Sequence, residues 1–274
     1  MVGLPKTTHP RYQHSLEELF LRVYIVVDDW LKENQGRLAL PQQPRQSYSE
    51  LFTIAVVGEL VAQPYESVWY WLVGQSYREL FPKLPEYSRY HRVVRKAEKL
   101  RAEFAVELAS STTTHLHIVD AKPLPVAKGK RAEWSTCLEA SKGFSTMGMV
   151  YGFKLHALVN EQGLFKRWSF APAHHHEAAL APELVEGITQ QVIGDKAYLG
   201  HTSIITPRRK NMTEPSVWNK ALNRLRKRIE TSFSVLVGSL TLHAAQVKTF
   251  WSLKARVNLK IATHNLIHSG ALSR

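Results

Sequence analysis

Cysteine is almost absent: Cys137 is the one thiol in 274 residues. A single thiol excludes an internal disulfide and a cysteine-based zinc site, and it fits a reducing cytoplasm. Long apolar runs are missing too. The longest candidate, residues 51–62 (LFTIAVVGELVA), contains Glu59 and is too short to span a bilayer. The opening stretch MVGLPKTTHPRYQHS lacks an apolar segment of signal-peptide type, so no leader is expected. Low-complexity tracts and internal repeats are lacking. With 44% hydrophobic and 22% charged residues, the chain is not a disordered one. Acids are scarce: 23 Asp and Glu face 36 Lys and Arg, a formal charge of +13. The pI is near 9.8. Such an excess concentrates polyanions at the surface, and nucleic acid is the usual one.

The length allows one large domain or two smaller ones with real cores. Residues 1–108 read as helical. SLEELFLRVYIVVDDWLK places Leu16, Leu19, Phe20, Val23, Val27 and Trp30 near helical spacing. Ser47 and Glu50 form a capping-box pattern ahead of the next apolar run. Pro64 opens a further helix, in which Trp69 and Trp71 are expected as core anchors rather than a base-stacking platform. After the proline-containing loop FPKLPEYS, RYHRVVRKAEKLRAEFAVEL reads as one basic amphipathic helix.

From residue 109 the pattern changes. STTTHLHIVDAKPLPV is β-branched and alternating, and its strand is expected to stop at Asp120 because Pro123 and Pro125 follow. MGMVYGFKLHALVN and LFKRWSFAPA have strand composition and are separated by EQG, a plausible hairpin turn. A helix interrupted by Pro182, two short strands (QQVIGD and TSIITP), a long helix from Asn219 and a final helix complete the order. The sum is an α/β (α+β) domain, residues 109–274, behind a helical region, residues 1–108.

Asp195 stands where the apolar strand QQVIGD ends, and Asp120 where HLHIVD ends. Glu230 lies in RKRIETSF beside Ile229, on the flank of the stripe formed by Leu222, Leu225, Ile229, Phe233 and Leu236. Two aspartates at strand ends faced by a helical glutamate make a cage of hard oxygen ligands suited to Mg²⁺. Two such ions, roughly 3.5–4 Å apart, activate an attacking oxygen and stabilise the leaving one at a phosphodiester. Each acid also has a plain local reading. Asp120 and Asp195 could cap their turns, and Glu230 could pair with Arg226 one turn earlier.

The motifs VDAKPLP, YGFKLHALV, IGDKAYLG, TPRRKNM and RKRIETSFSVL, in that order, resemble bacterial insertion-sequence transposases of the DDE superfamily. The resemblance is strongest to the insertion sequence 982 group, and it runs from about Ser47 to Ile267. It implies an RNase H-like catalytic domain with a mixed sheet, preceded by an α-helical DNA-binding region. It also implies Asp120, Asp195 and Glu230 as catalytic metal ligands, with two Mg²⁺ (or Mn²⁺) ions per site. The activity implied is cleavage of transposon ends and joining of the 3′-hydroxyl to target DNA. Double-stranded DNA is the expected partner, a homodimer on DNA the expected assembly, and the bacterial cytoplasm at the nucleoid the expected location. Related families carry Tyr, Arg and Lys around the third acid. Arg226 fits, but Asn223 stands at the Tyr position and Val237 at the Lys position. Glu214 and Glu177 are the fallback third acids. A metal nuclease without strand transfer and an inert DNA-binding protein are the competing readings.

Between His201 and Ile229 there are eight Lys or Arg and one acid, Glu214. Arg208, Arg209, Lys210, Arg224, Arg226 and Lys227 are candidate phosphate contacts, which hold DNA without reading its sequence. Lys154 and Lys196 are candidates near the site. Arg89, Arg92, Arg95 and Arg101 are candidates in the helical region. His174, His175 and His176 invite a zinc reading, but three consecutive histidines cannot all face one ion on regular backbone. A loop without a metal is expected there.

Overall fold

The computed structural model describes residues 15–36, 47–127, 132, 134–145, 148–209, 211, 217–242 and 247–273. Among the described residues, five helices precede the sheet. Helix α1 (Leu16–Glu33) is capped by Ser15, whose hydroxyl accepts from the Glu18 N–H at 3.2 Å, and it buries Leu19, Phe20, Val23, Val27, Trp30 and Leu31. Helix α2 (Tyr48–Leu60) is capped by Ser47 and is apolar nearly all round, as a central helix must be. Helix α3 (Glu66–Ser76) buries Trp69, whose Nε1 donates to the Ile54 carbonyl at 2.8 Å. A Cβ on Gly58 would come within 2.7 Å of that ring, so glycine lets the indole close on α2. Trp71 does not join it. Two residues further along a helix point to roughly the opposite side, and Trp71 is 63% exposed.

The basic segment expected as one helix is two: α4 (Tyr87–Lys96) and α5 (Glu98–Ser110), broken at Ala97 with φ −83° and ψ 20°. The break lets α4 lie against α2 and α3 while α5 lies against β4 and the C-terminal helix.

Strand β1 (Leu116–Ala127) pairs antiparallel with β3 (Gly148–Asn160), and β3 pairs antiparallel with β4 (Phe165–Pro172). Strand β2 (Ser141–Ser145), not foreseen in the sequence, pairs with the first residues of β3. The short β5 (Gln191–Ile193) adds parallel to β1, but only from Leu116 to Ile118. The expected stop of β1 at Asp120 is therefore wrong. The strand continues through Pro123 and Pro125 because its β5-side edge has no partner beyond Ile118. TSIITP forms only a parallel bridge, Ile193 with Ile205. Four strands paired antiparallel and a parallel fifth, with helices packed on the sheet, make a mixed α/β fold of RNase H-like type.

After β4, a 3₁₀ turn (Glu177–Leu180) runs into α6 (Ala181–Val185), the split imposed by Pro182 at the start of α6. Helix α7 (Lys220–Val237) is capped by Asn219 and buries Ile229, Phe233 and Leu236. Helix α8 (Phe250–His268) is the central rod. Asn265 on α8 donates to the carbonyls of Ala105 and Phe165 at 2.8 and 2.9 Å and accepts from the Phe165 N–H at 3.0 Å. One apolar core runs from Leu19 and Val57 through Phe104 to Phe165, Phe233 and Leu266, so the leading helices share it with the sheet. A smaller core, with Val119, Leu158, Leu184 and Tyr198, fills the opposite face under α6. No helix among the described residues is long and apolar enough to cross a membrane.

Candidate active site

Asp120 sits on β1 two residues past the last β5 pair, where the sheet edge opens. Its Oδ1 accepts from the Ala121 N–H at 2.8 Å. Asp195 follows Gly194 at the end of β5, and its Oδ1 accepts from the Ala197 N–H at 2.7 Å, capping a 3₁₀ turn (Lys196–Tyr198). A Cβ on Gly194 would lie 3.0 Å from Val119, Tyr198 and Ile204 side chains, so glycine permits β5 to approach β1 closely here. Glu177 arrives from the loop after β4. His176 caps the 3₁₀ turn, its Nδ1 accepting from the Ala178 N–H at 3.2 Å, and Lys154 lies 3.8 Å from the Glu177 carboxylate.

Carboxylate oxygens of Asp120, Glu177 and Asp195 all lie within 4.8 Å of one another, each residue half-buried. By strand alternation Asp120 belongs with Ile118 to the sheet face under α7 and α8, and Lys154 to the opposite face. The open edge of β1 is where groups from both faces meet. Burial pushes the Asp120 carboxyl up to about 7, and the Asp195 and Glu177 charges push the same way; the Ala121 N–H and the Arg226 guanidinium offset them in part. Three crowded acids with so little compensation are the donor set a divalent cation fits: hard oxygens whose mutual repulsion the ion removes.

Glu230 is not in this cluster. It accepts an ion pair from Arg226 at 2.8 Å across one turn of α7 and is half-exposed. Arg226 lines an open cleft with Asp195, Lys196, Trp218, Asn219, Lys220 and Asn223. The fallback Glu177 is the glutamate brought to the two aspartates; the other fallback, Glu214, lies outside the described residues, as does Lys210.

The basic candidates divide by exposure. Arg89, Arg92, Lys196, Arg209, Arg224 and Lys227 are exposed, and Arg208 is half-buried. Arg95 is half-buried and donates to the Ser252 hydroxyl. Arg101 is 2% exposed, so it cannot meet DNA at the surface. It stands on the stripe that α5 turns to the core, beside Leu100 and Phe104. Lys154 is also buried, donating to the His175 carbonyl at 2.9 Å; it fastens the histidine loop. The loop's histidines stand outside the carboxylate cluster that Glu177 joins: His174 bonds Ser141 at 2.7 Å and His176 caps its turn.

Tyr198 escaped the sequence reading. It is fully buried beneath the carboxylates, its hydroxyl has no partner, and burial first, then the three acids, raise its pKa. His156 is buried with both ring nitrogens unpartnered, and burial with the Lys154 charge lowers it to about 4. Local periodicity does not distinguish Tyr198 from an ordinary core position; for His156 the period-2 spacing puts it on the side of Lys154, a candidate phosphate contact, but both are buried.

No curated protein and no solved structure matches the chain. Residues 110–245, which hold the five described strands and all three clustered carboxylates, match the family model described as Transposase DDE domain, which is what this segment is similar to.

Proposed function

We propose that the chain is an insertion-sequence transposase, of the insertion sequence 982 group, that cleaves transposon ends and joins the freed 3′-hydroxyl to target DNA. The observation that carries this reading is the three-carboxylate cluster at the open edge of β1, inside the segment that matches the transposase DDE domain model. Asp120 and Asp195 would hold divalent metal, Mg²⁺ or Mn²⁺, with Glu177 completing the cluster. Glu230 is proposed as the third acid of the chemistry, on the strength of RKRIETSFSVL and of its partner Arg226, whose charge already reaches Asp120. Two bound divalent cations would neutralise the developing charge and activate the attacking oxygen.

The chain's own residues orient and hold. The Ala121 and Ala197 N–H groups fix one oxygen each of Asp120 and Asp195, leaving the others free to face a ligand. Lys154 and His176 fix the loop that carries Glu177. Lys196, Arg208, Arg209, Arg224 and Lys227 are proposed to grip phosphates beside the cleft, with Lys210 in the same run. Arg89 and Arg92 in the helical region, residues 1–108, are proposed to bind the transposon ends. A site that handles one end at a time requires at least two chains on a pair of ends, and two equivalent ends favour a symmetric homodimer on DNA.

The test is incubation of the full chain with duplex carrying the element's end, Mg²⁺ and a target plasmid. Nicking at the end followed by covalent joining to the plasmid supports the proposal. Metal-dependent nicking without joining reduces the activity to a nuclease. Binding without cleavage in either metal overturns it.

A further inference from the structure

The helical half contains buried positive charge that its own acids compensate only in part. A cavity opens between α2, α3, α4, α5 and α8, lined by Glu59, Glu66, Tyr90, Arg95, Arg101 and Arg256 together with Lys260. Two acids line it against four cations: Glu59 pairs with Lys260, and Glu66, which bonds the His91 ring at 3.1 Å, offsets Arg95, Arg101 and Arg256 only in part. No ion pair to Arg95, Arg101 or Arg256 occurs among the described residues. Arg101 is 2% exposed, and its Nε and Nη2 have no hydrogen-bond partner. Tyr90 is fully buried, and its hydroxyl is likewise unpartnered. Burial draws the Arg101 guanidinium down to about 10, and burial with the neighbouring Arg256 charge lowers Arg95.

A guanidinium has donors only, so what satisfies these groups is an acceptor. Water would meet the donors but leave the charge in a medium of low dielectric, which is costly. A small anion with several oxygens meets both needs, and the planar fork of arginine matches phosphate oxygens. The space accessible to solvent is about 50 Å³, several times the ~10–15 Å³ that one water needs.

We propose that this cavity binds one tetrahedral oxyanion of the phosphate class, held by Arg95, Arg101 and Arg256 with the Tyr90 hydroxyl donating from below. The anion would tie α8 to α4 and α5, and so link the helical half to the helix on which the catalytic sheet rests. Arg101 is 2% exposed, so the oxyanion is free inorganic phosphate rather than a phosphate group of DNA.

The full chain is unfolded thermally in millimolar sodium phosphate and in sodium chloride of matched ionic strength. Wild type is expected to gain about 2–4 °C in phosphate only. Asp120→Asn should keep that gain, which separates this site from the carboxylate cluster. Arg256→Gln, at a half-buried position, and Tyr90→Phe should lose most of it; both serve where Arg101→Gln fails to fold. A wild type that gains no more than Arg256→Gln from phosphate overturns the proposal and leaves a water-filled cavity.

Discussion

Arg226 spans one turn of α7 to hold Glu230 at 2.8 Å, and its charge simultaneously reaches the buried Asp120. A single guanidinium therefore stands between the glutamate that the sequence motif singles out and the aspartates around which the acids gather. An exposed i,i+4 pair of this kind contributes only about 0.3–0.5 kcal/mol, so little holds Glu230 where it is.

The two glutamates can be separated by substitution. Asp120→Asn and Asp195→Asn are expected to abolish Mg²⁺-dependent cleavage, a loss of at least about 10³-fold by analogy with other sites that lose charge stabilisation, while duplex affinity stays within about twofold. Glu230→Gln should match them. Cleavage by Glu230→Gln at near wild-type rate, with Glu177→Gln inactive, would assign the third acid to the cluster instead. A gel-based nicking assay reads both.

The raised Asp120 sets a pH dependence. Its carboxyl titrates at about 7 in the folded, metal-free chain and at about 3.9 unfolded. Between these values the folded state holds the extra proton, so metal-free stability should fall as pH rises from about 4 through 7. Asp120→Asn should flatten that fall. Mg²⁺ competes with the proton, so metal affinity should weaken below pH ~7. Urea titrations of both proteins across this range, with and without Mg²⁺, provide the check.

Gly194→Ala should harm both fold and site. The new Cβ would press on Val119, Tyr198 and Ile204 at 3.0 Å, for about 1–3 kcal/mol of overpacking. It would also shift the turn that carries Asp195. A drop in denaturation midpoint together with weaker Mg²⁺ binding is the expected result; unchanged metal affinity would show that Asp195 does not depend on the close approach of β5.

Arginines of the helical half should behave in two ways. Arg89→Gln and Arg92→Gln, at exposed positions, should each weaken DNA binding and lower the salt slope by about one. Arg101→Gln should alter stability with little direct change in that slope, because the side chain is buried. Binding isotherms at three salt concentrations distinguish these behaviours. A fragment of residues 1–108 would lack α8, against which α5 packs, so its weak folding is expected to show as lost thermal cooperativity.

The sequence by itself determined what repeats locally. The stripes of α1 and α7, the cap at Ser47, the start of the long helix at Asn219, the hairpin around Gly163 and the apolar strand ahead of Asp195 were legible, because helix and strand periods are written in consecutive residues. The two aspartates and the basic run after His201 were legible for the same reason. Only the tertiary structure decided which glutamate reaches the aspartates. Glu177 comes from a loop fastened by Lys154, and its approach to Asp120 depends on β5 ending at Ile193, facts set by pairing between distant segments. Packing likewise decided that β1 runs through its prolines, that Trp71 turns outward while Trp69 fills the space over Gly58, and that Arg101 lies inside. In each case burial is a property of what a neighbouring element covers, and a chain's own periodicity carries no record of that neighbour.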